Sequence, residues 1–342
     1  MTFDLLLVGH GNVARRFVEL LDEQSAVRAR IVGIATRHHG CTLDRRTVTP
    51  ASTVHFIRDA VKAHAAAARA GRLVLVETTT LDIERGEPAT SHVLAALAGG
   101  AHVITANKGP AAFAYRRLAR ASEKARRRFL FEGAVMDGVP IFNLVRRTLP
   151  AVQILGFRGV VNSTTNFIIT ALEQGQRFGD ALAEMQARGI AEADASLDVD
   201  GWDAAAKAAA LANVLLGANI TPRQVERRGI DTDTGLQARK ARDAGRRLKL
   251  VARAERIGCG VRASVSPEEL PGDDLLAGVE GQQNALILRT DLLEEIAIVQ
   301  RGGSLTQTAY ALLSDLVAIS EDVSAGSATR RSPARARGRR TL

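Results

Sequence analysis

Short apolar runs alternate with longer amphipathic segments over the first 135 residues of the chain. Several runs are rich in Val, Ile and Leu throughout: FDLLLVG, ARIVGIAT, RLVLVETTT, AHVITANK and RFLFEGAV. Runs of this kind are typical of parallel strands that are covered by helices on both faces. The pattern therefore predicts a doubly wound α/β domain with a parallel sheet over residues 1–135.

The pattern changes after residue 135 to helices with intervening strands of mixed character. Its segments are IFNLVRRTL, VQILGFRGVVN, TTNFIITALEQG, DALAEMQARG and GLQARKARDAGRRLKLVARAERI, then the predicted strands NALILRT and EEIAIVQRGG. We interpret residues 136–303 as a second α/β domain. The last apolar segment, TQTAYALLSDLVAIS, predicts a helix over residues 304–322 that returns to complete the first domain.

A chain of 342 residues, of which 46% are apolar, is long enough for two packed domains. It has no run of about 18 apolar residues and no basic segment before its first apolar run, so neither a membrane span nor a secretory signal is expected. The expected location is the cytoplasm.

Much of the formal net charge of +9 comes from arginines near the end of the sequence. Those arginines are Arg330, Arg331, Arg335, Arg337, Arg339 and Arg340. Residues 323–342 are poor in large apolar side chains, which predicts a disordered basic tail. Non-specific contact of this tail with nucleic acid is the one nucleic-acid interaction that the charge supports.

Residues 9–14, GHGNVA, fit the pattern GxGxxA between a predicted strand and a predicted helix. Gly9 allows the tight turn, Gly11 lets the backbone approach a pyrophosphate, and the helix that follows offers free amides to the phosphates. We therefore predict a Rossmann dinucleotide site with cofactor contacts at Gly9, Gly11, Asn12 and Val13. A βα turn without a ligand is the alternative.

The second predicted strand ends in Thr36 and Arg37, without the acid that usually binds the ribose hydroxyls of NAD. A guanidinium pairs well with phosphate oxygens. Arg37 therefore predicts a preference for NADP over NAD. Because an arginine at a strand end is also common on protein surfaces, NAD stays possible.

Lysines are scarce in this chain, and two of them lie near predicted functional positions. Lys108 follows the run HVITAN, at the carboxyl edge of a parallel sheet, where doubly wound proteins bind ligands. Lys207 follows Asp203 by four residues on one helix face, and local rules could explain this pair together with Asp200 as a helix cap. Those rules do not explain Glu192 and Asp198, which precede the helix.

The chain resembles the homoserine dehydrogenases, NAD(P)-dependent enzymes that reduce L-aspartate 4-semialdehyde to L-homoserine. The matching segments come in the order of that family: GHGNVA, VITANK, FEGAVMDGVPIF, VVNSTTNFIIT and GIAEADASLDVDGWDAAAK. The resemblance implies that the second domain carries catalysis and dimerisation, and that the protein is a homodimer. It also implies no regulatory ACT domain and no fused aspartate kinase.

The resemblance implies roles for the acids and lysines of these motifs. Lys207 would donate the proton in reduction and accept it in oxidation, with Asp203 orienting it and Lys108 as the rival donor. Glu192 and Asp198 would bind the ammonium group of the substrate.

Further contacts follow from the same resemblance. Thr79 and Gly302 would contact the cofactor, Thr164 would contact the substrate, and a monovalent cation such as sodium would be bound at Glu132, Val135, Asp137 and Val139.

Four places depart from the usual pattern of this family. Residues 135–140 have lost two glycines of the cation loop, Ser163 replaces a glycine, and Ile190 replaces an aromatic residue. The family's GAGG run is shortened to GGSL at residues 302–305. These departures leave two alternatives open. One is a related NADP-dependent oxidoreductase for another amino-acid aldehyde or hydroxy acid, and the other is a non-catalytic regulatory paralogue that binds NADP(H).

Overall fold

A computed structural model describes residues 1–67, 70–187 and 195–331. Over these ranges the chain forms one seven-stranded and one six-stranded sheet, each with its own helices. None of the helices in the described ranges has the length and apolar character needed to cross a membrane. The mixed α/β architecture expected from the sequence is confirmed.

The first sheet has the strand order β4-β3-β2-β1-β5-β6-β7. Its strands are β1 (Thr2–Val8), β2 (Arg28–Thr36), β3 (Gly40–Leu43), β4 (Arg46–Val48), β5 (Leu73–Glu77), β6 (His102–Thr105) and β7 (Phe129–Leu130). The strands β2, β1, β5, β6 and β7 run parallel, as predicted. The antiparallel hairpin β3-β4 extends the sheet beyond β2 and was not predicted.

Helices cover both faces of this sheet. They are α1 (Asn12–Glu23), α2 (Thr53–Ala66), α3 (Ala89–Ala98) and α4 (Gly109–Ala125). Because side chains alternate along a strand, Leu5 of β1 packs with Phe17 of α1, whereas Leu6 belongs to the core that includes α2, α3 and α4. This is the doubly wound arrangement expected for the first domain.

The second sheet has the strand order β13-β12-β8-β10-β11-β9. Its strands are β8 (Ile154–Val160), β9 (Glu226–Arg227), β10 (Arg246–Ile257), β11 (Gly260–Pro271), β12 (Asn284–Thr290) and β13 (Glu295–Gln300). Neighbouring strands of this sheet are antiparallel except β9 and β11, which run parallel. The helices of this part are α5 (Phe142–Thr148), α6 (Ser163–Glu173), α7 (Phe178–Ala187), α8 (Ser196–Val199), α9 (Trp202–Leu215) and α10 (Thr234–Asp243).

The last helix, α11 (Leu305–Arg331), packs on the first sheet rather than the second. Leu312 and Leu316 lie in the same core as Phe3 and Leu5. The helix continues to Arg331, so the predicted tail is helical over residues 323–331. There the hydroxyl of Ser324 donates to the carbonyl of Ser320, one turn earlier. The exact domain limits stay a prediction.

The alanine-rich helix α9 joins the two halves of the molecule. Its small side chains, such as Ala205 and Ala209, are fully buried, which permits close packing against α4. The side-chain amide of Asn213 donates to the carbonyls of Ala111 and Ala112 in α4, at 3.1 and 3.2 Å. This contact brings the face of α9 that bears Lys207 towards the carboxyl edge of the first sheet.

Candidate active site

The predicted phosphate turn connects β1 to α1. Gly9 has a φ of 90°, and a Cβ placed there would lie 2.8 Å from the backbone of Thr78, so only glycine fits. Gly11 precedes the first turn of α1, and a Cβ there would meet nothing within 4 Å. No side chain caps α1, and Asn12 and Val13 line a cavity, so the start of this helix is open to an anion.

A cavity of about 590 Å³ lies over this turn. Its walls include Gly9, Gly11, Arg37 and Thr79. Arg37 lies in the turn between β2 and β3, and its position in the lining therefore depends on the pairing of β3 with β2. Arg15, from the first turn of α1, adds a second guanidinium to the same cavity.

A second cavity of about 660 Å³ shares Gly11, Thr78, Thr79 and Thr80 with the first one. Its far wall is formed by Lys108, Asp198 and Asp203. One continuous cleft therefore runs from the phosphate turn to the acids and lysines of the second half of the chain.

Asp203 lies between two lysines at the end of this cleft. Its Oδ1 is 3.0 Å from Nζ of Lys108, and its Oδ2 is 2.9 Å from Nζ of Lys207. Lys207 also donates to the carbonyl of Val161, at 2.6 Å. The three charged side chains keep 15–20% of their surface exposed, so they can meet a ligand in the cleft.

The expectation that Asp200 caps this helix is wrong. The residue before α9 is Gly201 in the left-handed conformation, with a φ of 78°, and no side chain caps the helix there. Asp200 instead ends the short helix α8. Asp203 binds Lys108 and Asn162 in addition to Lys207, so it does more than form a local helical pair.

The charged groups of this cluster shift each other's pKa values. Burial favours the neutral form of Asp203, but the charges of Lys108 and Lys207 hold the pKa of this carboxyl far below its usual range. Burial likewise opposes the charged form of Lys207, but Asp203, Asp137 and Asp198 raise its pKa above the ordinary lysine value. Lys207 is therefore an ammonium at neutral pH.

Asn162 links the acids to the start of α6. Its Oδ1 accepts the amide proton of Thr165 at 2.8 Å and so caps the helix. Its Nδ2 donates to Asp198 at 2.6 Å and to Asp203 at 2.9 Å. Thr164, which is buried in the first turn of α6, forms a further hydrogen bond with Asp198.

The pKa of Asp198 shifts in the opposite direction from that of Asp203. Burial and the charge of Asp203 raise the pKa of Asp198, in spite of its hydrogen bonds with Asn162 and Thr164. Glu192, Asp194 and Ile190 lie outside the described residues.

The remaining predicted cofactor contacts lie in separate loops. The amide and the hydroxyl of Thr79 both donate to the carboxylate of Glu77. Gly302 lies in the loop that leads from β13 into α11, and its contact with a cofactor stays a prediction.

The two acidic side chains of the predicted cation loop accept hydrogen bonds from other parts of the protein. The carboxylate of Glu132 accepts the amides of Ile141, Phe142 and Asn143, at 2.6–2.8 Å. The carboxylate of Asp137 accepts from Gln300 and Thr308, at 2.9 Å each.

These side chains do not present free carboxylate oxygens, so a cation in this loop would depend on backbone carbonyls such as those of Val135 and Val139. The four residues do not form a cluster of acidic ligands, and the described part of the chain contains no group of three or more His, Cys, Asp or Glu side chains arranged for a metal.

Sequence reasoning missed Asn162, Arg15 and Glu77. Asn162 had a signal, because an asparagine between a strand and a helix is a common cap. Arg15 and Glu77 had none, because their relation to the cleft depends on tertiary contacts.

Two family models match the chain. The model described as homoserine dehydrogenase matches residues 140–317, and the one described as homoserine dehydrogenase, NAD binding domain, matches residues 9–132. An NAD(+)-dependent homoserine dehydrogenase of Pseudomonas canavaninivorans is 35% identical, over 93% of this chain and 96% of its own length.

A homoserine dehydrogenase of Sulfurisphaera tokodaii is 34% identical, over 93% of this chain and 99% of its own length. The crystal structure of a homoserine dehydrogenase from Thiobacillus denitrificans superposes with a TM-score of 0.80 at 28% identity, and covers 95% of this chain and 74% of its own.

Proposed function

Because the chain belongs to the homoserine dehydrogenase family, we propose that its cleft carries out the reversible reduction of L-aspartate 4-semialdehyde to L-homoserine with a nicotinamide dinucleotide. The observation that supports this site most strongly is Asp203 between Lys108 and Lys207, in the same cleft as the phosphate turn. The cleft thus combines an anion site at one end with proton-carrying groups at the other.

A nicotinamide cofactor held at the phosphate turn of Gly9 and Gly11 would supply the hydride, and the protein supplies the proton. In the reductive direction Lys207 donates a proton to the aldehyde oxygen as negative charge develops there. Asp203 holds Lys207 as an ammonium and orients it, and the carbonyl of Val161 fixes a second of its protons. Lys108 adds positive charge near the same oxygen, which stabilises the developing alkoxide.

The substrate is an amino acid, so its ammonium group needs acceptors. Asp198 lies at the wall of the same cavity and is held by Asn162 and Thr164. We assign Asp198, Thr164 and Glu192 to substrate binding, with Glu192 assigned on the sequence motif alone. In the oxidative direction Lys207 accepts the hydroxyl proton.

We further propose that NADP is preferred over NAD. Arg37 and Arg15 line the cofactor cavity, and two guanidinium groups suit a cofactor with an additional phosphate. The relative from P. canavaninivorans is named as NAD(+)-dependent, so NAD is the competing outcome. Contacts of Gly9, Gly11, Asn12, Val13, Thr79 and Gly302 with the cofactor belong to this proposal.

Several further properties are proposed on the likeness to the family. The enzyme forms a homodimer and acts in the cytoplasm, and a sodium ion is bound by the backbone near Val135 and Val139. Light scattering after gel filtration tests the dimer, and turnover with sodium replaced by choline tests the cation.

The deciding experiment is a direct assay. Purified protein is mixed with L-homoserine and NADP, and formation of the reduced cofactor is followed by its absorbance. L-Serine and L-threonine serve as comparison substrates, and NAD as the comparison cofactor. Reduction of NADP that requires homoserine is expected. Turnover of another hydroxy acid but not homoserine would favour a related oxidoreductase, and cofactor binding without any turnover would favour the regulatory paralogue.

A further inference from the structure

A buried carboxylate lies directly beneath the cleft. Glu77 ends β5, and none of its surface is exposed. Its Oε1 accepts the amide proton of Thr79 at 3.1 Å and the hydroxyl proton of Thr79. Among the described residues, His92 is the one basic side chain within 4 Å of this carboxylate, and its Nδ1 lies 3.7 Å from Oε1. A carboxylate this deeply buried is costly unless its oxygens are hydrogen-bonded, so the donors that bind it are held firmly.

A threonine on the neighbouring strand extends this contact. Thr105 ends β6, and its hydroxyl lies 2.8 Å from the carbonyl oxygen and 3.0 Å from Oε2 of Glu77. The same hydroxyl accepts the amide proton of Asn107 at 3.0 Å. Thr105 therefore connects the buried carboxylate to the turn that follows β6.

Asn107 connects Thr105 to Thr79 and so completes a ring of hydrogen bonds. Its Nδ2 donates to the carbonyl of Thr79 at 2.9 Å, and its Oδ1 accepts the amide proton of Gly109 at 2.8 Å. Lys108 lies between Asn107 and Gly109 in the sequence. The hydrogen bonds thus form a closed ring through Glu77, Thr79, Asn107 and Thr105. Thr79 lines the cofactor cavity, and Asn107 belongs to the turn that bears Lys108.

We infer that Glu77 and Thr105 are positioning residues that keep the Thr79 wall of the cofactor cavity at a fixed distance from Lys108. This inference rests on the proposed function, since it assumes that Lys108 and the cofactor act on one substrate. Lys108 reaches Asp203 from this turn, so a shift of the turn would also disturb the pair of Asp203 and Lys207. A misplacement of about 1 Å can cost about 100-fold in rate.

The test removes the hydroxyl that links the two strands. Thr105→Val keeps the volume and the branched shape but neither donates to Glu77 nor accepts from Asn107. We expect the KM for the cofactor to rise about tenfold and kcat to fall about tenfold or more. Thr105→Ser restores the hydroxyl and is expected to return both constants to within about threefold of wild type.

Thr170→Val is the matched control. Thr170 is also buried, and its hydroxyl donates to the carbonyl of Asn166 and accepts the amide proton of Gly281. The linings of the two cavities include none of these three residues. Like Thr105→Val, the Thr170→Val variant therefore loses one hydrogen bond that the hydroxyl donates and one that it accepts. We expect it to lower the denaturation midpoint while the KM for the cofactor stays at the wild-type value, because an unfolded fraction lowers apparent kcat without changing KM.

A Thr105→Val enzyme with wild-type constants, or with the lowered stability and unchanged KM of the control, would overturn the inference. If Thr105→Val does not fold, Asn107→Ala opens the ring at the cavity wall, and unchanged constants there would overturn it equally. A wild-type enzyme that fails to oxidise homoserine contradicts the proposed function instead. In that case fluorescence titration with NADPH still compares cofactor affinity between Thr105→Val and Thr105→Ser.

Discussion

Oδ2 of Asp203 lies 2.9 Å from Nζ of Lys207, one helical turn further along α9. Oδ1 of the same carboxylate lies 3.0 Å from Nζ of Lys108, on the other half of the molecule. One negative charge is therefore shared by two lysines, one at the start of α4 and one in α9. The protonation of Lys207 and the relative position of the two halves consequently depend on the same side chain.

Asp203→Asn is expected to shift the pH dependence of homoserine oxidation. Asp203 raises the pKa of Lys207, so loss of its charge lowers that pKa. As the base in oxidation, Lys207 must be deprotonated, so the alkaline rise of kcat/KM should move to lower pH in the variant. The kcat/KM profile for homoserine between neutral and alkaline pH measures the shift.

The control for that experiment is Asp200→Asn, which removes an exposed acid three positions earlier, outside the cluster. Its profile should coincide with wild type. An unshifted Asp203→Asn profile would mean that Lys207 is not the group that titrates.

Lys207→Ala is expected to lower kcat in aldehyde reduction by about 100-fold or more, which is the usual contribution of a positioned general acid. It should also abolish the loss of activity at alkaline pH, because no ammonium is left to deprotonate. Lys108→Ala should lower the rate while keeping that alkaline limb. If the limb instead disappears in Lys108→Ala and persists in Lys207→Ala, the two lysines have exchanged roles.

The parallel strands of the first sheet could be predicted because each is an apolar run of the right length between amphipathic helices. The hairpin β3-β4 could not, because its strands are short and partly polar, and its turn uses Asp44 and Arg45 at φ values of 46° and 63°. Glycine or asparagine would have signalled such a turn more clearly.

The segment from Gly235 to Ile257 reads as one run in the sequence, but it contains most of α10 and all of β10, with Gly245 between them at a φ of 71°. In β10 residues 248–252 are all buried. Lys249 interrupts the apolar run of this strand in the sequence, so the adjoining helical pattern concealed the strand.

The candidate site was predictable where one motif holds its residues, as for Asp203 and Lys207. The contact of Asp203 with Lys108 spans 95 positions of sequence and depends on α9 packing against α4. Local rules also favoured Asp200 as a cap, but a left-handed Gly201 reorients the chain before the helix. Tertiary packing therefore determines the contact between Asp203 and Lys108 and the start of α9, which the sequence spacing alone does not predict.

Arg37→Ala is expected to raise the KM for NADPH about tenfold and leave the KM for NADH unchanged. A hydrogen bond to a charged group contributes about 1.5–3 kcal/mol, and about 1.4 kcal/mol corresponds to a factor of ten. Arg46→Ala, at an exposed position of β4 outside the cavity lining, is the control and should change neither constant. Equal effects of Arg37→Ala on both cofactors, or lower KM for NADH in the wild type, would contradict the preference for NADP.

Lys249 is expected to make the stability of the protein depend on pH. It is fully buried in β10, where its Nζ donates to the carbonyl of Val279 at 2.5 Å, and burial lowers its pKa to about 8. Below that pH the folded protein carries a buried ammonium, and between about 8 and the ordinary value of 10.5 the unfolded chain binds more protons than the folded one. The free energy of unfolding should therefore rise with pH across this window, by about 1 kcal/mol per unit.

Urea denaturation at several pH values between 7 and 10 measures this rise, with Lys249→Met as the test variant and Lys240→Met, at an exposed position of α10, as the control. The difference in unfolding free energy between wild type and Lys249→Met should change in favour of wild type as the pH rises, because only wild type loses the cost of a buried charge. Lys240→Met should follow wild type at every pH. Parallel curves for wild type and Lys249→Met would mean that Lys249 keeps an ordinary pKa in the folded protein.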